Sequence, residues 1–419
     1  MNIIFLTMSR IFTISNRGVN ADLMRKFRDE GHQVYIVSPR ERSLNIKPGL
    51  ENVEGVHFLG VKTLNLQKTN VIEKGLGQLL VETQYKKAIR RFLDDIDFDL
   101  ILYSTPPITF PKVIKYLRTR NPHAKTYLLL KDIFPQNAVD IGMMSKTGLK
   151  GLLYRYFRDK EKKLYALSDY IGCMSPANVE YILSYNQEIN RSRVEVAPNS
   201  IELAEELDAD EERAKRSIER SYIRSKYNLP LNKPIFIYGG NLGKPQGIDY
   251  LVKCLDANKH RDDCLFIVVG NGTEYKKISS WLEDIKSKKE GVCIRLMPRL
   301  PKKDYDMLVR SCDVGLIFLD HRFTIPNFPS RLLPYLEYKI PIIAATDINS
   351  DTGSIAEKNG YGYWCESVKP EDFTTLVDKM LLSDRKAMGD RGYEYLKKNY
   401  LVSNTYEVIM KHLDEETQS

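Results

Sequence analysis

Short apolar runs alternate with amphipathic stretches along the whole chain. In the first half the runs are NIIFLTM, QVYIVS, VHFLGV, FDLILYS, KTYLLLK, DYIGCMS and RVEVAPN. In the second half they are PIFIYGG, CLFIVVGNG, VCIRLMP, DVGLIFLD and PIIAATD. Continuously apolar runs of this kind read as strands buried on both faces. Between the first two lies GVNADLMRKFRDEG, where Leu23, Met24 and Phe27 share one helical face and Gly31 marks the stop. Strands alternating with helices predict parallel sheets covered by helices. Two such series predict an α/β chain with two doubly wound, Rossmann-like domains.

The boundary falls where apolar anchors run out, in IELAEELDADEERAKRSIERSYIRSKYNLPLNKP. The pattern predicts a first domain over 1–200, a charged linker over 201–232, a second domain over 233–395 and C-terminal helices over 396–419. A length of 419 residues suits two cores. With 42% hydrophobic and 28% charged residues the chain reads as soluble and globular. It has no apolar run of about 18 residues that could span a membrane. MNIIFLTMSR reads as a first strand, not a signal peptide, so a cytoplasmic location is expected. The six cysteines form no Cys-x-x-Cys and read as free thiols of a reducing compartment. The net charge of +8 suits an anionic substrate or an anionic membrane surface. Zinc spacing, aromatic RNP-like strands and arginine-rich arms are missing, which argues against nucleic acid.

Candidate chemistry centres on IFIYGGNLGKPQGIDYL, residues 235–251. A strand ends in Gly239 and Gly240; Gly243 and Lys244 follow, then a helical pattern. The spacing fits neither a Walker loop nor Gly-x-Gly-x-x-Gly. What remains is a backbone cradle, a helix start and one cation, a combination that suits a diphosphate. Further along come VVGNGTE (268–274), LMPRLPKKDYDML (296–308) and IPNFPSRLLPYLEYKIPIIAATD (325–347).

This ordered set resembles the nucleotide-sugar-binding half of family-four glycosyltransferases, retaining enzymes of the GT-B fold. The branch it is most similar to contains bacterial capsule and O-antigen enzymes such as the L-N-acetylfucosamine transferases. LLKDIFPQNAVDIGMM (129–144) and EVAPNSIEL (195–203) extend the resemblance into the first half. The resemblance implies two Rossmann-like domains facing a central cleft. It implies sugar transfer from a nucleotide diphosphate, UDP first among them, to a lipid-linked saccharide at the inner face of the cell membrane. It implies neither cofactor nor metal. Carried over, donor contacts fall on Gly18 of the SNRG loop and on Gly240, Asn241, Gly243 and Lys244. Asn271, Gly272, Arg299 and Leu300 would bound the base pocket; Ser330, Arg331 and Glu337 complete the set. Asp132 takes the catalytic position on the acceptor side, and Asn199 an acceptor or hinge position.

The chain departs from the family where two glutamates usually precede the Gly-x-Pro-Val strand. Counted back from Pro341, Asn327 and Pro334 stand there. Asn241 and Gln246 replace the usual Arg…Lys pair, leaving Lys244 as the substitute cation. Two other readings stay open: a nucleotide-sugar epimerase on the same fold, and a partner subunit without donor chemistry. DDIDFDL (94–100) contains Asp-x-Asp but precedes a strand, so it reads as a solvated turn. GLKGLLYRYFRDKEKKLYALSDY (148–170) reads as a core-facing helix with a basic face, or as a membrane-surface patch built on Lys146, Lys150, Arg155, Arg158, Lys160, Lys162 and Lys163.

Overall fold

The computed structural model describes residues 1–65, 71–203, 209–288 and 291–414. The chain divides into two compact units, 1–202 with 400–419, and 203–399.

The first unit is built on eight strands: β1 (Asn2–Leu6), β2 (Gln33–Glu41), β3 (Gly49–Val53), β4 (Val56–Thr63), β5 (Leu100–Ser104), β6 (Lys125–Leu130), β7 (Tyr170–Cys173) and β8 (Val194–Val196). Their order is β3-β4-β2-β1-β5-β6-β7-β8. Only β3 runs antiparallel to its neighbour. Ile3, Phe5, Leu102 and Leu129 meet Leu23, Met24 and Phe27 of helix Val19–Asp29 in one core. The predicted helical face is therefore the packed one.

The second unit is wholly parallel: β9 (Ile235–Asn241), β10 (Leu265–Asn271), β11 (Ile294–Met297), β12 (Val314–Phe318), β13 (Ile342–Thr346) and β14 (Gly362–Glu366), in the order β11-β10-β9-β12-β13-β14. Strand order reverses between β9 and β12, and in the first unit between β1 and β5. Doubly wound sheets bind ligands at such switch points, beyond the carboxyl ends of the strands.

The structure redraws the boundary. Residues 209–226 form a helix that belongs to the second unit, where a charged linker was expected. Ile223 is buried, and Arg224 is fully buried. The Arg224 guanidinium bonds to Asp313 at 2.8 Å and to the carbonyls of Ser311 and Pro230, and Arg220 joins Asp313. A buried ion pair supplies the anchoring that few apolar residues could. Residues 204–208 of the expected linker lie outside the described residues. The C-terminal segment also divides. Helix Arg385–Asn399 stays with the second unit, while helix Val402–Asp414 joins the first. There the His412 ring stacks on Tyr170 at 3.6 Å and hydrogen-bonds Glu195 at 2.8 Å. The six cysteines are free. Among the described residues no helix is long and apolar enough to cross a membrane.

Candidate functional site

In the second unit, Gly239 and Gly240 end β9 at the switch point. Gly240 has φ +126°, a conformation that favours glycine. Gly272 answers to packing: a Cβ there would lie 2.2 Å from the Leu242 carbonyl oxygen, where the ends of β9 and β10 converge. The loop that follows is closed by Gln246. Its Oε1 accepts from the Gly243 N–H at 3.1 Å and from Asn241 Nδ2 at 3.3 Å. The Gly243 amide, expected as a free donor to the diphosphate, is thus already engaged. Lys244 also differs from expectation. It opens a three-residue 3₁₀ turn, Lys244–Gln246, and the helix proper starts at Ile248. Gly247, with φ +57°, separates the two. Lys244 is exposed.

Arg331 lies at the start of helix Leu332–Glu337. Six residues are too short for an appreciable helix dipole, so the expected dipole contribution falls away. The side chain makes up for it. The guanidinium sits over the Tyr238 ring, 4.2 Å from its centroid. Nη2 comes within 3.6 Å of the space a Cβ would take on Gly240. Nη1 is buried and has no hydrogen-bond partner. A buried guanidinium nitrogen with an unsatisfied N–H, at a glycine turn beyond a switch point, has the chemistry of a hydrogen-bond donor to an anion. Tyr335, on the same helix, donates to the Ile237 carbonyl of β9 at 3.0 Å and ties the helix to that strand.

Ser330, Asn271 and Arg299 are exposed and Leu300 is half-buried. All four follow the carboxyl ends of strands or the loop beyond them, on the same edge of the sheet as Gly240. Glu337 does not join them, because it closes the helix that Arg331 opens. Pro334 sits inside that helix. The Asn327 amide donates to Ser350 Oγ, which donates to Asp347 Oδ2 at 2.9 Å. Burial pushes the Asp347 carboxyl up to about 6, against hydrogen bonds from Ser350 and Asn349.

In the first unit, residues 9–13 and 16–21 line a cavity of about 410 Å³ beyond the end of β1, with Arg10, Arg17 and Gly18 in its wall. The Gly18 N–H donates to Asp22 Oδ1 at 2.9 Å, so this amide too is engaged. Yet a Cβ on Gly18 would meet nothing within 4 Å. Its φ of 169° is extended backbone open to any residue. Neither packing nor conformation requires glycine at 18.

Asp132 follows β6. Its Oδ1 accepts from Asn137 Nδ2 at 2.7 Å, and its amide and that of Lys131 both donate to Thr105 Oγ1. Burial raises its carboxyl to about 6, with the Asn137 hydrogen bond working against the rise. Sequence reasoning missed the neighbour, Lys131. Burial lowers its ammonium to about 7. Its Nζ bonds Asn20 Oδ1, and Asn20 lines the cavity and donates to Ser9 Oγ at 3.0 Å. The signal was present in LLLKD, a lysine straight after a buried strand. Asn199 follows β8, and its buried Oδ1 has no partner. Two carboxylates of DDIDFDL hold structure: Asp94 accepts from Tyr116, and Asp99 Oδ2 from the Asn2 amide at 2.7 Å.

Residues 219–395 match the family described as Glycosyl transferases group 1. The chain is 24% identical over 352 residues to a protein of Pseudomonas aeruginosa named Probable glycosyltransferase WbjE, covering 80% of this chain and 78% of that one. It is 26% identical over 159 residues, 37% of this chain and 36% of the relative, to WcaI of Escherichia coli K12, provisionally named a colanic acid biosynthesis glycosyl transferase. Among solved structures, HepE of Anabaena in complex with UDP-glucose superposes with a TM-score of 0.67 at 13% identity, over 99% of this chain and 100% of that one. The chain thus has the two Rossmann-like units of the GT-B fold, and its residues 219–395 are similar to the group 1 glycosyl transferases.

Proposed function

We propose that the protein transfers a sugar from a nucleotide diphosphate, UDP in the first instance, to a lipid-linked saccharide in bacterial surface polysaccharide synthesis. The observation that carries this reading is the buried, unpartnered Nη1 of Arg331 beside the Gly239–Gly240 turn. A departing diphosphate gathers negative charge. A cation held in place by Tyr238, with exposed Lys244 and the backbone of the glycine turn near it in the chain, stabilises that charge without reorganising. Asn271, Gly272, Arg299 and Leu300 bound the base, and Ser330 adds a hydroxyl. Asp132 orients or deprotonates the acceptor hydroxyl, and Asn199 offers it a hydrogen-bond acceptor. UDP-glucose bound to HepE supports the donor class, and the name of WcaI supports the polysaccharide setting. Retention of configuration rests on the family resemblance. Because protein cations are assigned the leaving-group charge, turnover is expected to survive chelation by EDTA.

The test is a nucleotide screen by thermal shift, followed by turnover with a lipid-linked acceptor. A ligand at a hundredfold excess over Kd adds about 2.7 kcal/mol of stability. UDP stabilisation with acceptor-dependent turnover supports the reading. Epimerisation without acceptor, or indifference to every nucleotide, overturns it.

A further inference from the structure

The wall of the cavity beyond β1 is braced from behind by β2. There the Arg40 guanidinium lies over the Phe12 ring, 4.3 Å from its centroid. It also donates to Ser38 Oγ at 2.8 Å, and Ser38 Oγ donates to the Ile11 carbonyl at 3.1 Å. Gly60 of β4 makes room for the arginine stem: a Cβ there would lie 2.7 Å from Arg40 Cγ. Arg40 is buried and, among the described residues, forms no ion pair with a carboxylate. A guanidinium buried without a carboxylate is costly to a fold. What it meets here is the π face of Phe12. Phe12 nonetheless lines the cavity and is 38% exposed. With one face under the guanidinium, the open surface belongs to the other face and the ring edge.

The cations of this wall differ from Arg331 in being engaged already. Arg10 closes its fork on Glu41, Nε to Oε1 at 2.9 Å and Nη2 to Oε2 at 2.7 Å. Arg17 bonds the Glu202 carbonyl. What the cavity offers a ligand is therefore largely neutral. Ser9 Oγ accepts from Asn20 Nδ2 at 3.0 Å and keeps its own proton to donate. Exposed Asn16 has both a donor and an acceptor end. An open aromatic face ringed by hydroxyl and amide groups suits a sugar: the C–H bonds of the ring lie on the π cloud, and the hydroxyls at its edge meet the polar groups. The volume of about 410 Å³ falls in the small-ligand range of about 300–1,000 Å³. The same wall reaches the strand end that carries Asp132, because Lys131 Nζ bonds Asn20 Oδ1.

We propose that Phe12, backed by Arg40, is the platform on which an uncharged pyranose ring of the acceptor saccharide stacks, and that it sets the choice of acceptor sugar. This rests on the glycosyl transfer of the proposed function. Phe12 selects by shape, since a ring whose face carries axial hydroxyls cannot lie flat on it. Arg40 is a positioning residue: it fixes the plane of the phenyl ring and, through Ser38, the Ile11 carbonyl beside it.

The experiment is saturation-transfer NMR of the full chain with the methyl glycosides of glucose and N-acetylglucosamine, and with glucose 6-phosphate as the charged comparison. The wild type is expected to saturate the ring C–H protons of at least one neutral glycoside. Phe12→Ala should weaken that binding by about tenfold. Phe12→Tyr should keep it within about threefold, whereas Phe12→Leu, which restores apolar bulk without a π face, should behave like the alanine variant. Arg40→Met should fall between. Thermal melting checks that each variant is folded, and UDP affinity should be unchanged in all of them. Glycoside binding that Phe12→Ala leaves intact, or that Phe12→Leu restores, overturns the platform. So does a wild type that prefers glucose 6-phosphate to both glycosides, or that binds neither of them. A wild type that binds glycosides through Phe12 but responds to no nucleotide overturns the proposed function and leaves the platform standing.

Discussion

The Arg331 guanidinium rests on the Tyr238 ring at 4.2 Å and faces the turn at Gly240. Stacking fixes the plane of the fork, so its free nitrogen is presented to an anion without loss of side-chain freedom on binding. Arg331→Ala should weaken UDP binding by roughly 1.5–3 kcal/mol, the scale of a charge-assisted hydrogen bond. Arg331→Lys keeps the charge but loses fork and stack, and should fall between. Lys244→Ala should cost less, under about 1 kcal/mol, because an exposed cation is screened. Isothermal calorimetry decides; an unchanged affinity in Arg331→Ala removes Arg331 from the diphosphate site.

Glycines 18 and 272 should behave in opposite ways. Gly272→Ala forces a methyl against the Leu242 carbonyl and should lower stability by about 1–3 kcal/mol. Gly18→Ala meets nothing and should stay within about 0.5 kcal/mol in stability. If substrate occupies the cavity beside it, the same change should raise KM or lower kcat. Chemical denaturation and steady-state kinetics on the two variants separate the cases. A Gly18→Ala enzyme with wild-type kinetics would leave that cavity without a role.

Helix Ala209–Lys226 depends on Arg224. Arg224→Met removes the donor to the carbonyls of Ser311, Pro230, Leu231 and Lys233 and one of the two arginines on Asp313, and losing one partner of such a network costs up to about 3–5 kcal/mol. Urea melts should show this loss. A companion Asp313→Leu change should not recover it, because Arg220 and the Ile235 N–H then lose their acceptor as well.

The same helix shows why part of the fold escaped sequence reading. Strands β1, β5 and β9 announce themselves because burial on both faces demands unbroken apolar runs. Strand β3, GLENV, is an edge strand with exposed residues at its centre and carries no such run. The helix at 209–226 is held by an arginine, and an arginine in a charged stretch looks like solvent-exposed surface. At the site, the Gly239–Gly240 turn was legible from spacing, whereas Arg331 entered only through the family resemblance. The engagement of the Gly243 amide by Gln246 was not, because only the folded turn brings those two together. Nor could sequence separate Gly272, required by a carbonyl 2.2 Å from its missing Cβ, from Gly18, required by nothing in its own unit.

Asp132 offers the sharpest test, because catalysis and capping predict opposite signs. Burial lifts its carboxyl from 3.8 to about 6, so the folded chain holds the proton more tightly than the unfolded one. Stability should therefore fall as pH rises from about 4 to about 6 and stay level above, where the ionised carboxylate is an unrelieved burial cost. Asp132→Asn removes that charge and should be neutral or stabilising above pH 6. A residue that mattered only as a cap would destabilise when changed. For catalysis the carboxylate is the working form, so kcat should climb through about pH 6 in the wild type. That limb should vanish in Asp132→Asn, with turnover down tenfold or more, within the roughly 10²–10⁴-fold range of positioned proton transfer. UDP affinity should change little. Lys131, brought down to about 7 by burial, supplies the internal control. A second limb near pH 7 that disappears in Lys131→Met belongs to the lysine, whereas the limb near 6 must survive that change. Full kcat in Asp132→Asn, with thermal stability lowered at pH 7.5, would assign Asp132 to the turn that follows β6 and leave the acceptor base elsewhere.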